Sequence, residues 1–262
     1  MDATLVFPVL LGWFAGIIIN YLADVLPVTR RFSRPACPQC QAPFTWRSYL
    51  LFQACVNGHK RRPRLWIVQF AILAISVYTW FQPSSRIGYG LGLLLIAYFG
   101  VVFVIDMEHH LILHPTSIFG SLLGLVVGSV SNGPGVTLLG GLGGLLIMLA
   151  LYYFGVLFSR LRTARLRARG QEADDEEALG AGDVILAVIL GFVLGWPLVW
   201  FSLLLGILLA GVFGLLTVVF MLVIKKYKEN VFMIFMPYGS FLILAAFFII
   251  FLPNWIINIV PK

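Results

Sequence analysis

Two aspartates stand inside apolar segments, where an ionised side chain is costly. Asp106 closes one segment, VVFVIDMEHHLI, and Asp183 lies near the start of another, LGAGDVILAV. Such a residue at membrane depth is a functional candidate by default. Two carboxylates that share a proton can hydrolyse an amide, because one takes a proton from the attacking water while the other donates to the carbonyl oxygen. We predict that they form a catalytic pair; for either residue alone, a helix cap or an interfacial ion pair is the alternative.

Residues beside the two aspartates are candidates for binding a substrate. Gly180 and Gly182 directly precede Asp183 and allow the backbone to approach an extended chain closely. Glu108 follows Asp106 by two residues and is the third candidate substrate-binding residue. Asp183 lies near a helix N-terminus, which favours an anion, and Asp106 near a C-terminus, which does not. We therefore expect Asp183 to be the ionised base and Asp106 the protonated acid.

Composition excludes a soluble domain. Hydrophobic residues make up 60% of the 262 residues, charged residues only 11%, and the mean hydropathy is +0.97. A soluble domain has about a quarter charged residues. At about 20 residues for each spanning helix, the length allows about seven to nine spans. The predicted fold is all-α: a polytopic membrane protein with about eight transmembrane helices and a small cytoplasmic loop domain.

The apolar runs also predict the order of the segments. The eight expected spans are at about 5–26, 65–81, 88–107, 112–130, 135–158, 179–196, 198–224 and 231–252. The corresponding domains are a first transmembrane helix over 1–26, a cytoplasmic Cys-containing loop domain over 27–64, and a membrane peptidase core of about seven helices over 65–262.

The distribution of basic residues predicts the orientation. Sixteen of the 18 Lys and Arg residues lie in three segments, 27–64, 159–178 and 225–230, and eight spans place all three on one side. Positively charged loops stay in the cytoplasm. Both aspartates then lie at the cytoplasmic face and both termini lie outside the cytoplasm. Since membrane topology explains the net charge of +7, no nucleic-acid partner is expected.

The motifs occur in a familiar order. The first helix contains GWFAGIIINYLADVLP, the next loop CPQC, and the later segments IDMEHHLIL, GAGD and PYGSFLILAA. In these features the chain resembles the bacterial type IV prepilin leader peptidases, the GxGD-type aspartic peptidases of the inner membrane. The resemblance implies that Asp106 and Asp183 are catalytic. It also implies that the substrates are prepilins or pseudopilins, whose short basic leader is cut after a Gly on the cytoplasmic side.

The resemblance implies a second activity, and at two positions this chain differs from the usual family residues. Many members of the family also N-methylate the new terminus with S-adenosylmethionine. Ile185 stands two residues after Asp183, where the family usually has Lys. Leu113 stands seven residues after Asp106, where it usually has Pro. Neither position supplies the proposed acid–base chemistry, so a peptidase is still expected.

The three cysteines predict a metal site. Cys37 and Cys40 form a C-x-x-C pair in a basic segment, a pattern typical of metal ligation rather than of a disulfide. Family members often carry a second such pair, and here Cys55 and His59 take its place. Three thiolates and one imidazole complete a tetrahedral, structural zinc site. The alternative is three inert thiols and a solvated histidine.

An acidic run precedes Asp183 on the side where a basic leader would approach. As a hypothesis, this run steers the leader electrostatically, an effect that salt weakens. The alternative is a solvated loop that balances its own arginines. The run consists of Glu172, Asp174, Asp175, Glu176 and Glu177.

Three other functions remain open. One continuous helix would place Asp106, His110 and His114 on one face, as in a metalloprotease, but Pro115 opposes such a helix. A proton-coupled transporter would also use intramembrane acids, although near the bilayer midplane and with inverted symmetry. A non-catalytic subunit that binds leaders or assists assembly is the third alternative.

Overall fold

The computed structural model describes residues 3–168, 180–223 and 237–252. Within these ranges a short 3-10 turn, Ala3–Leu5, precedes nine α-helices, and there is no β-strand, only an isolated bridge between Ala36 and Pro43. The all-α prediction is confirmed. The helices are α1 Val6–Thr29, α2 Trp46–Leu50, α3 Pro63–Phe81, α4 Gly88–His109, α5 His114–Asn132, α6 Pro134–Ala168, α7 Ala181–Leu194, α8 Leu198–Val223 and α9 Tyr238–Phe251.

Several of these helices are long and apolar enough to cross a membrane. Among the described residues, α1, α3, α4, α6 and α8 satisfy both criteria, while α7 and α9 are shorter apolar helices of 14 residues each. With α5, each of these helices overlaps one of the eight predicted apolar segments. The protein is therefore a multi-pass helical membrane protein, and the count of eight spans stays a prediction.

Local sequence explains where the helices begin and end. Pro63 occupies the first position of α3, where its missing N–H costs no hydrogen bond. Thr45 caps α2 by accepting a hydrogen bond from the N–H of Ser48 at 3.3 Å. Arg30 ends α1 and Gly195 follows α7, both with positive φ values, of 54° and 72°. Arg30, with ψ 14°, is in the left-handed conformation that commonly terminates helices, whereas Gly195, with ψ 175°, leaves helical geometry altogether.

The described residues belong to two compact units. The first comprises Met1–Thr116 with Ile250–Lys262, and the second comprises Ser117–Ile249. Asp106 lies in the first unit and Asp183 in the second. Each aspartate is therefore described with the neighbours in its own unit.

In the first unit, small residues let α1 approach α3 closely. A side-chain carbon added at Gly12 would lie 2.6 Å from Cβ of Ser76, and one at Gly16 would lie 2.7 Å from Oε1 of Gln69. The buried polar groups bond across the same interface: Gln69 Nε2 donates to the carbonyl of Trp13 at 2.7 Å. Close backbone approach is how helices associate in lipid.

In the second unit, glycines fix α7 against α6. A side-chain carbon added at Gly140 would collide with the carbonyl oxygen of Gly191, and one at Gly144 would collide with that of Ala187. Because the colliding atoms belong to the backbone, they cannot rotate away. The helix that contains Asp183 in its first turn is thus held by direct backbone-to-backbone packing.

Candidate active site

Asp106 lies in the last turn of α4 and is only 4% exposed. Its carbonyl accepts a hydrogen bond from the N–H of His110 at 2.8 Å. His110 has a φ of 52°, so the helix ends directly after His109. The acid therefore occupies the helix C-terminus that the sequence predicted.

Asp183 is the third residue of α7 and is partly exposed. Its Oδ2 accepts a hydrogen bond from the N–H of Gly180 at 3.3 Å, and its own N–H donates to the carbonyl of Gly180 at 3.1 Å. Gly180 has an extended backbone at the N-cap position, and Gly182 occupies the first turn. The carboxylate thus binds a free N–H at a helix N-terminus, where the dipole favours negative charge.

Tyr238 is a neighbour of Asp183 that the sequence analysis did not single out. It is the first residue of α9, and its side chain interacts electrostatically with Asp183. Tyr238 belongs to the segment PYGSFLILAA, which was noted in the sequence only for its likeness to a family motif. Two helix N-termini of the second unit therefore contribute polar groups to the surroundings of Asp183.

The histidines after Asp106 do not continue its helix. α4 ends at His109, and α5 begins at His114 with Pro115 as its second residue. Within the described ranges, these histidines form no group with Asp106 that has metal-binding spacing. The metalloprotease alternative requires three ligands on one face of a continuous helix. The described ranges contain no such helix through Asp106, His110 and His114.

Glu108 is an exposed residue that forms an ion pair. Arg64 Nη1, at the start of α3, donates to Glu108 Oε2 at 2.7 Å. Arg62 lies farther away, with Nη1 3.9 Å from Glu108 Oε1. Arg64 also donates through Nη2 to Asp24 of α1. Sequence reasoning missed Arg64 and Asp24, because their partners lie about 40 residues away.

The four predicted metal ligands lie together in the first unit. Sγ of Cys40 is 3.3 Å from Sγ of Cys55, and Sγ of Cys37 is 3.8 Å from Nδ1 of His59. All four ligand atoms lie within 4.8 Å of one another, the one such group in the described part of the chain. Tetrahedral zinc separates neighbouring sulfur and nitrogen ligands by about 3.5–3.8 Å. The donor types and spacing fit such an ion.

Backbone amides around the cysteines favour the thiolate form. The N–H of Ala42 bonds to Cys40 and, with Cys55, lowers the pKa of Cys40 to about 7. The N–H groups of Cys40 and Gln39 likewise lower the pKa of Cys37. The thiolate is the metal-binding form of cysteine, so these amides favour the form of Cys37 and Cys40 that would bind a metal, whereas burial and the neighbouring cysteines raise the pKa of Cys55.

Aromatic side chains pack within residues 37–59, here called the metal-ligand loop because it contains the four candidate ligands. Phe44 and Tyr49 are buried against Cys37 and Cys55 in one cluster. The guanidinium of Arg61 lies over both rings, 3.8 Å from the centroid of Phe44 and 4.4 Å from that of Tyr49. Such cation–π contacts are worth about 0.5–2 kcal/mol each.

Comparison with known proteins finds similarity to one family. Residues 93–215 match the model of the type IV leader peptidase family. The match covers a little less than half of the chain and supports the predicted kinship with leader peptidases, and with it a leader-peptidase-like protease in a multi-pass membrane protein. Comparison with curated proteins and with solved structures gives no significant match.

The leader-peptidase match includes most of the predicted site residues. Both aspartates, Glu108 and the two glycines lie inside the matched range, whereas the metal-ligand loop precedes it. The acidic run Glu172, Asp174, Asp175, Glu176 and Glu177 also falls inside the match but lies outside the described residues. Its steering role stays a prediction.

Proposed function

We propose that the protein is an aspartic endopeptidase that removes the short basic leader of type IV prepilins or pseudopilins, with Asp106 and Asp183 as its catalytic pair. One observation carries this proposal: both acids lie in the segment that matches the leader peptidase family, one in the last turn of α4 and the other in the first turn of α7. In the predicted topology, both helix ends lie at the cytoplasmic face of the inner membrane, and both termini lie outside the cytoplasm.

Each acid has a separate role in the proposed reaction. Asp183, at a helix N-terminus, is the base that takes a proton from the attacking water. Asp106, buried at a helix C-terminus, is the acid that donates to the carbonyl oxygen of the scissile amide. As the tetrahedral intermediate collapses, Asp183 gives the proton it took from water to the departing amine, Asp106 recovers its proton from the former carbonyl oxygen, and the leader keeps the new carboxyl group. Gly180 and Gly182 would let the extended leader approach the carboxylate of Asp183.

We also propose that Cys37, Cys40, Cys55 and His59 hold a structural zinc ion. Four protein ligands leave no open coordination position, which is typical of structural rather than catalytic zinc. The ion would close the loop between α1 and α3, where Phe44 and Tyr49 already pack against the cysteines. N-methylation of the new terminus with S-adenosylmethionine remains a second activity that only the resemblance implies.

Co-expression tests the proposed activity. A candidate prepilin is expressed with the wild type, Asp106→Asn or Asp183→Asn, and leader removal is scored by the mass of the pilin. Membrane levels of each variant are matched, and Glu229→Gln serves as an acid-to-amide control. We expect trimming only with the wild type and the control. Unchanged trimming by either aspartate variant would refute the catalytic pair, and a transporter or a non-catalytic subunit would trim nothing in any form.

A further inference from the structure

We propose that Arg64 is a positioning residue for Asp106, because its guanidinium ties Asp24 of α1 to Glu108 in the last turn of α4. This inference rests on the proposed function, since Asp106 must take part in the reaction for its placement to affect cleavage. All the residues concerned lie in the first unit.

Arg64 divides its two terminal nitrogens between two carboxylates. Nη1 donates to Glu108 Oε2 at 2.7 Å, and Nη2 donates to Oδ1 of Asp24. The other oxygen of Asp24 accepts a hydrogen bond from the hydroxyl of Tyr49 at 2.6 Å. Arg64 therefore joins α3 directly to α1 and α4, and through Asp24 this link extends to the metal-ligand loop.

Shielding from water strengthens this arrangement. The side chain of Arg64 is only 17% exposed, and those of Asp24 and Glu108 are 27% and 25% exposed. Charge-assisted hydrogen bonds in such surroundings are stronger than those of exposed surface pairs. The planar guanidinium matches the geometry because it presents separate donors to separate acceptors.

The helix dipole gives a second reason why Arg64 is paired with two carboxylates. Arg64 is the second residue of α3, and a cation at a helix N-terminus is unfavourable. Its position is therefore stabilised by Asp24 and Glu108 rather than by its own helix. Removing either carboxylate would leave Arg64 with one anionic partner fewer at a helix end where the dipole disfavours its charge.

The end of α4 needs an anchor because the helix stops there. Asp106 and Glu108 share the last turn, and His110 leaves the helix with a left-handed backbone. Terminal turns have unsatisfied carbonyls and fray readily. The contact between Glu108 and Arg64 ties this turn to α1 and α3, and thereby limits the movement of Asp106. A displacement of about 1 Å at a reacting group can cost about 100-fold in rate.

Arg62 provides a matched control. It is the same residue type and also faces Glu108, but its side chain is 62% exposed and its nitrogen lies 3.9 Å from the carboxylate. An exposed pair of this kind contributes little. Arg64→Gln and Arg62→Gln therefore remove the same charge near the same glutamate, whereas only the first removes the link to Asp24.

The test uses full-length protein in detergent micelles and a purified prepilin with a basic leader. We expect Arg64→Gln to lower kcat about tenfold or more, with KM within about twofold of the wild type, since positioning acts on the reacting geometry. Arg64→Lys should recover part of the loss, and Arg62→Gln should stay within about twofold. Glu108→Gln should lower kcat like Arg64→Gln, and the double variant should be no slower than either single variant.

Hydrogen exchange provides a readout that does not depend on cleavage. We expect faster exchange in the peptide covering 104–113 for Arg64→Gln than for Arg62→Gln, while peptides of the second unit stay unchanged. If the wild type cleaves no prepilin, the proposed function fails, and the exchange comparison still decides whether Arg64 holds α4. Equal exchange in the two arginine variants would overturn the inference. It would also be overturned if Glu108→Gln raised KM alone, the result expected for a residue that contacts the leader.

Discussion

Tyr49 provides a quantitative test of how the metal-ligand loop is attached to α1. Its hydroxyl donates to Asp24 Oδ2 at 2.6 Å, while its ring packs edge-on against Phe44 with centroids 6.0 Å apart. Burial and the adjacent Asp24 carboxylate raise the pKa of Tyr49, so the hydroxyl stays protonated and remains a donor. Tyr49→Phe removes this hydrogen bond and keeps the ring contacts.

The expected loss follows from the strength and shielding of that bond. A hydrogen bond to a charged group contributes about 1.5–3 kcal/mol to stability. Asp24 is 27% exposed and keeps its bond to Arg64, so solvent and the remaining partner reduce the loss. We expect Tyr49→Phe to lower the free energy of unfolding by about 1–2 kcal/mol.

The assay is unfolding of the purified protein in mixed micelles, followed by tryptophan fluorescence. Tyr78→Phe is the matched control, because the Tyr78 hydroxyl makes an exposed bond to neutral Gln82 Oε1 at 3.1 Å. The control should change stability by less than about 0.5 kcal/mol. Equal effects of the two substitutions would refute the reasoning, since the bond to Asp24 would then contribute no more than a surface contact.

Two further predictions concern packing and metal. Gly144→Ala should destabilise the protein by about 1–3 kcal/mol, because the new methyl group collides with the Ala187 carbonyl. Gly135→Ala, on the same helix in open space, should be neutral or stabilising by up to about 1 kcal/mol, and a thermal-unfolding series in which the two behave alike would contradict the packing. The purified protein should contain about one zinc ion per chain by elemental analysis. His59→Ala should lose it and His109→Ala should keep it, whereas full zinc in both variants would exclude His59 as a ligand.

Much of the architecture was predictable because membrane helices have strong local signals. Each predicted apolar segment contains a helix, and the two aspartates lie at the helix ends that were expected. The observed helix boundaries differ from the predicted ones where a helix continues past the apolar residues or ends before them. α6 continues to Ala168, ten residues beyond its predicted end, because its Arg-, Leu- and Ala-rich continuation favours helix without being apolar. α7 is shorter than predicted, since Gly180 and Gly195 flank it.

The long-range polar contacts were not predictable from patterns along the chain. Arg64 is 40 residues from Asp24 and 44 from Glu108, and no periodicity connects them. The pairing of Glu108 with Arg64 was therefore not foreseen, and its role in substrate binding stays a prediction. By contrast, the clustering of the four candidate metal ligands was predictable, because cysteine spacing reports a shared site even when Cys37 and Cys55 lie 18 residues apart; that they bind zinc stays a prediction.

The central claim is that Asp106 and Asp183 act as one unit on a single peptide bond. Its most direct test is the rate of leader removal by purified wild type, Asp106→Asn, Asp183→Asn and the double variant, at equal concentrations of correctly folded protein. Residues that act together are non-additive, so all three variants should fall to the same residual rate. A near-wild-type rate in either single variant, or a double variant as slow as the product of the two single losses, would contradict the account.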